Sequence, residues 1–204
     1  MSYFLHVMMG FVMSFLSLIP PGMLNMTAVR TTIEQNKKAG IWFSFGAALI
    51  VVPQAFIALA FTRFFSDNPH IVERLKIGGI FVLFLLSVVF FTQARKKLKN
   101  QGSKRKGKSF LMGMLMSSMN MLSIPFYLVL SSVLENKGQL ILSQPFISLF
   151  VTGVFIGALS LFLVYVRFAR IIQKKAQFIA RNINYVLSVL FFVLGILTLI
   201  KLLK

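Results

Sequence analysis

Ser14-Phe15-Leu16-Ser17-Leu18-Ile19-Pro20-Pro21-Gly22-Met23-Leu24-Asn25 lies inside the first long apolar stretch of the chain, and its reading decides the fold. Two successive prolines delete two backbone N–H donors, and in a continuous helix their rings collide with the carbonyls of Leu16 and Ser17. In hydrocarbon the freed carbonyls need partners. A helix is therefore broken there only where protein packs around the break or a cavity adjoins it. In transporters such breaks often mark the substrate site. The expectation is a membrane helix broken at Pro20, Pro21 and Gly22, with Asn25 about one turn beyond.

The rest of the composition agrees with a membrane protein. Of 204 residues, 57% are hydrophobic and 13% charged, against about a quarter charged in soluble domains. Mean hydropathy is +0.84. There are no cysteines, so disulfides, thiolate metal sites and cysteine nucleophiles are excluded. The net charge of +18 would suggest nucleic acid in a soluble protein. Here the cations fall between apolar runs, where topology signals lie, and no nucleic-acid partner is expected.

Six apolar segments are legible: Tyr3–Val29, Gly40–Phe64, Ile77–Thr92, Phe110–Leu134, Phe146–Phe168 and Ile183–Leu203. Each is near the length a helix needs to cross a bilayer. No basic residue precedes the first and no small-residue cleavage site follows it, so it reads as a span, not as a secretory signal. Arg30, Lys37 and Lys38 lie between segments 1 and 2. Between segments 3 and 4 lie Arg95, Lys96, Lys97, Lys99, Lys104, Arg105, Lys106 and Lys108. Arg167, Arg170, Lys174, Lys175 and Arg181 lie between segments 5 and 6. These sixteen fall on one side, and Arg63, Arg74, Lys76, Lys137, Lys201 and Lys204 on the other. The positive-inside rule makes the sixteen cytoplasmic and both termini non-cytoplasmic. The basic stretch before segment 4 reads as a topology anchor that also meets anionic lipid headgroups.

Asn100-Gln101-Gly102-Ser103 forms a flexible midpoint. It divides the chain into a three-helix half at 1–98, a basic linker at 99–108 and a second three-helix half at 109–204. Three is odd, so equivalent halves sit upside down relative to one another, as in inverted-repeat transporters. A compositional echo supports this. Ser14, Ser17, Pro20, Pro21, Gly22 and Asn25 in segment 1 are matched by Ser117, Ser118, Asn120, Ser123 and Pro125 in segment 4. The predicted fold is an all-α integral membrane protein of six transmembrane helices, in two inverted repeats, with helices 1 and 4 broken.

Asn25 and Asn120 are the sharpest candidates for substrate contact, because an amide offers donors and acceptors without a charge. The carbonyls of Leu16, Ser17 and Met121 would accept from an ammonium group, and the helix start beyond Gly22 would face a carboxylate. The alternative is that both amides glue helices together. Ser117 is grouped with this polar core, Pro125 marks the second break, and Gln54 is a further polar candidate beside Pro53. Gly153 and Gly157 with Ala158, and Gly40, Ser44 and Ala48, form small-residue faces for close helix packing, within the chain or between copies in a homo-oligomer. The 23 phenylalanines and 11 methionines read as core or lipid-facing residues.

The acids Glu34, Asp67, Glu73 and Glu135 fall in loops or at span ends, and His6 and His70 are far apart. No metal site, cofactor or hydrolytic constellation is expected.

Gly10…Pro21-Gly22-Met23-Leu24-Asn25…Arg30…Lys38-Ala39-Gly40…Gly46-Ala47 resembles the start of LysE/RhtB-type amino-acid exporters. Gly113…Asn120…Pro125-Phe126 resembles that family's second motif, with Met121 and Leu122 where the family has Pro and Lys. The resemblance implies six spans and secondary export of amino acids or related small polar metabolites across a bacterial cytoplasmic membrane. The alternatives are a membrane scaffold or assembly subunit, or a transporter of another small solute or ion.

Overall fold

The structure, a computed structural model, describes residues 2–68, 80–81, 83–92, 95, 108–120 and 122–203, with the backbone alone at 2, 175–181, 183–184 and 201–203. Outside the described residues lie His70, Glu73, Arg74, Lys76, the start of the third predicted span, the midpoint 100–103, Met121, Lys204 and most of the linker cations.

The described chain is helical without strands. Its elements are α1 Ser2–Leu18, α2 Met23–Glu34, α3 Lys37–Asp67, α4 Leu83–Thr92, α5 Ser109–Ser118, α6 Ser123–Asn136, α7 Phe146–Arg167 and α8 Ala169–Leu203. α3 and α7 are each long and apolar enough to cross a membrane. α1 and α2 are bent by 79° across a short break, and α5 and α6 by more than 40°; each pair is apolar enough to make one span. Among the described residues this gives two spans, or up to four with the bent pairs, and α4 and Tyr185–Ile200 are shorter apolar helices. Both predicted breaks therefore exist.

One boundary is corrected. The basic stretch between segments 5 and 6 is not a loop, because helix runs unbroken from Ala169 to Leu203. It holds Gln173, Lys174, Lys175, Ala176 and Gln177, all good helix formers, and neither Gly nor Pro before Gly195. Charge placed it outside the apolar core but says nothing against helix.

The chain divides into two compact units, Met1–Ser66 with Gln101–Lys174, and Asp67–Asn100 with Lys175–Lys204. In the first, α1 lies against α7 with backbone touching backbone. A Cβ on Gly10 would overlap the Phe150 carbonyl oxygen, and one on Gly153 the Val7 carbonyl oxygen. α3 and α5 meet in the same way: Gly113 faces the Phe43 carbonyl and Gly46 the Phe110 carbonyl. At all four sites the glycine stands three residues after the carbonyl that its partner faces (Val7 and Gly10, Phe150 and Gly153, Phe43 and Gly46, Phe110 and Gly113). Without a hydrophobic drive in lipid, such close approach is what binds helices. Gly153 and Gly157 thus pack inside the chain, against α1. Phe43, Ala47, Phe150, Val154 and Phe162 are fully buried around these contacts.

In the second unit α4 pairs with the later part of α8. Ser87 Oγ donates to the Ser188 carbonyl at 2.9 Å, and Ser188 Oγ donates to the Ser87 carbonyl at 2.9 Å. Phe84 meets Phe192 edge-on and Phe91 meets Tyr185 edge-on, while Phe90 and Phe191 stack with centroids 5.5 Å apart. Exchanging the two helices maps this set of contacts onto itself.

Candidate functional site

The first break opens because α1 stops at Leu18, ahead of the prolines, and α2 restarts after Gly22. Leu16 O, expected to be freed, is taken by the Ile19 N–H at 3.3 Å. Leu18 and Pro20 carry the exposed carbonyls instead. Asn25 serves both: its Nδ2 donates to Leu18 O at 2.5 Å and to Pro20 O at 3.1 Å. Tyr165 on α7 donates to Ile19 O at 2.7 Å. Pro21 is buried and Gly22 exposed. No side chain caps the start of α2.

The second break is organised in parallel. α5 ends at Ser118 and α6 begins at Ser123. Gln54, reaching from α3, donates Nε2 to Ser117 O at 2.9 Å and to Asn120 O at 3.4 Å. Asn120 is half-buried, and its Nδ2 donates to Ser123 Oγ at 3.0 Å. Each break is thus stitched by a carboxamide whose two donors are spent on main-chain carbonyls, which fixes its orientation because a carbonyl can only accept.

That orientation leaves the amide oxygens over. Asn25 Oδ1, Gln54 Oε1 and Ser117 Oγ are buried with no hydrogen-bond partner among the described residues. The three residues are 2%, 6% and 0% exposed. Buried polar groups are nearly always paired, so each orphan calls for an explanation. No Asp, Glu, Lys or Arg is buried among the described residues, so both breaks are polar but uncharged.

Of the residues singled out from sequence, the structure brings Gln54, Ser117 and Asn120 together at the second break, and Pro20, Pro21, Gly22 and Asn25 at the first. Pro125 is corrected. It lies in the first turn of α6, where its missing N–H removes no helical bond. The helix has already ended at Ser118, so Pro125 starts α6 and breaks nothing; it is also exposed. Tyr127 and Tyr165 escaped notice in the sequence. Tyr127 on α6, 1% exposed, donates to Ser14 Oγ on α1 at 3.0 Å. Ser131, one turn on, meets Thr62 of α3 at 2.6 Å. A tyrosine inside an apolar span was the available signal, since a buried phenol usually finds a partner.

Two membrane-length apolar helices beside two bent apolar pairs define a polytopic membrane protein. A family model, LysE type translocator, matches residues 15–202, and the chain belongs to that family. No curated protein and no solved structure matches it.

Proposed function

We propose that this translocator exports amino acids or related small polar metabolites by alternating access, with cargo held at the two breaks. The carrying observation is that all three orphaned buried polar atoms among the described residues belong to residues at or facing the two breaks. An uncharged set of amide and hydroxyl groups suits a net-neutral polar solute and offers a divalent metal ion no carboxylate to balance its charge. Asn25, Gln54, Ser117 and Asn120 contact cargo, and Pro20, Pro21 and Gly22 hold the first helix open. A scaffold has no use for three unsatisfied polar groups in a membrane core.

The two halves, 1–98 and 109–204, act as inverted repeats of three spans joined by the linker 99–108. The exchange of α1 and α7 for α5 and α3 at the glycine contacts supports this reading, as does the reciprocal pairing of Ser87 with Ser188. The protein resides in a bacterial cytoplasmic membrane with both termini outside, its basic connections against anionic headgroups.

The test is efflux from cells loaded with dipeptides, following amino acids in the medium by mass spectrometry. Asn120→Ala is the matched variant. It removes one side-chain bond to Ser123 and leaves the backbone carbonyl that Gln54 uses. Selective release by the unmutated protein alone is expected. Equal medium profiles in expressing and non-expressing cells would refute export.

A further inference from the structure

We infer that the second break is the subsite for a primary ammonium group, bound by Gln54 Oε1 and Ser117 Oγ. The inference rests on the export reading above and names the part of the cargo that this break recognises. Gln54 and Ser117 belong to one place, because Gln54 Nε2 donates to the Ser117 carbonyl. Both offer an unpartnered, buried oxygen there. The amide of Gln54 cannot turn its nitrogen toward a ligand without abandoning the carbonyls of Ser117 and Asn120. What it presents is an acceptor only, and Ser117 Oγ accepts as well.

The required ligand is therefore a donor with several N–H groups. Ser117 lies in the last turn of α5, where the helix dipole is negative and stabilises a cation. A carboxylate brought to the same place would meet carbonyl oxygens and the negative helix end. The ammonium is strongly hydrated outside the protein, and the two oxygens replace part of that shell, while the cargo's own carboxylate supplies the counter-charge. Both oxygens are closed to solvent in this conformation, so the subsite is occluded and cargo reaches it only when the break opens.

Ser117→Ala tests this without disturbing the fold. The hydroxyl makes no hydrogen bond among the described residues, and removing an unsatisfied buried group leaves stability unchanged or raises it. Thermal stabilisation of the purified protein is measured with leucine, threonine and lysine, and with the decarboxylated amine and the 2-hydroxy acid of each. Amino acids and amines that bind should do so while the matching 2-hydroxy acids do not. Ser117→Ala should weaken their affinity roughly tenfold or more at an unchanged melting midpoint, the loss expected for a hydrogen bond to a charged group. Stabilisation by the hydroxy acids equal to that by the amines would overturn the inference. So would unchanged affinity in Ser117→Ala, or no response to any amine-bearing probe. The export reading is judged separately, by the cellular efflux assay.

Discussion

An added methyl group at any of four glycines should push two helices apart. A Cβ at Gly10, Gly153, Gly46 or Gly113 falls on a facing carbonyl oxygen, well inside the roughly 3.3 Å of ordinary carbon–oxygen contact. Relief requires the helices to separate by roughly 1 Å, and a gap of that size forfeits about a quarter to a half of each dispersion contact. Overpacking of this kind costs about 1–3 kcal/mol. Alanine's better helix propensity returns about 1 kcal/mol, so each single Gly→Ala should lose up to about 2 kcal/mol. Two doubles sharpen the test. Gly10→Ala with Gly153→Ala opens one interface, α1 against α7, and should cost less than the sum. Gly153→Ala with Gly46→Ala opens two interfaces and should add. Gly22→Ala is the control: its nearest neighbour is the Pro20 carbonyl oxygen at 4.0 Å, and its φ of −87° suits any residue. The assay is the thermal midpoint of detergent-solubilised protein, read by size-exclusion chromatography with fluorescence detection. Midpoints unchanged across all four glycines would refute the backbone contacts, and matched losses in the two doubles would refute their division into two interfaces.

Three further outcomes are expected. Asn25→Ala strips the donor from the Leu18 and Pro20 carbonyls; at about 0.6–1.7 kcal/mol per bond within a membrane it should lose about 1–3 kcal/mol in thermal stability. Asn25→Asp, which turns an oxygen toward the same carbonyls, should lose at least as much, and a stable Asp variant would contradict the stitching role. Pro125→Ala should change stability by less than about 0.5 kcal/mol and keep efflux, since that proline starts a helix; lost efflux with intact folding would return it to the site. Ser87→Ala and Ser188→Ala should each cost about 0.5–1.5 kcal/mol and shift the midpoint equally, while unequal shifts would deny the reciprocal bonds.

The first break was legible because Pro20 and Pro21 enforce it covalently, whatever surrounds them. The second was located with the wrong residue. Ser117, Ser118 and Met119 carry no breaker, and α5 ends there through tertiary bonds from Gln54 that no local pattern records. Asn25 was recognised as the polar centre, but its division into two spent donors and one spare acceptor depends on where Leu18 and Pro20 point. Gly153 and Gly157 stood out by their spacing. The matching roles of Gly10, Gly46 and Gly113 emerge only when the facing helix is known. The helical stretch after Arg167 was hidden because charge and helix propensity answer different questions.

The crossed glycine pairs bear on how the protein is made. α1 closes on α7, and α5 closes on α3, so neither half of the sequence contains the partner for its own first helix. During synthesis α1 enters the bilayer long before its mate exists, with the backbone face that meets α7 still uncovered. Only when α7 follows can its backbone face be covered. α5 meets α3 already in place, whereas the α1 face stays open until α7 is made, so the two halves depend on each other for completion.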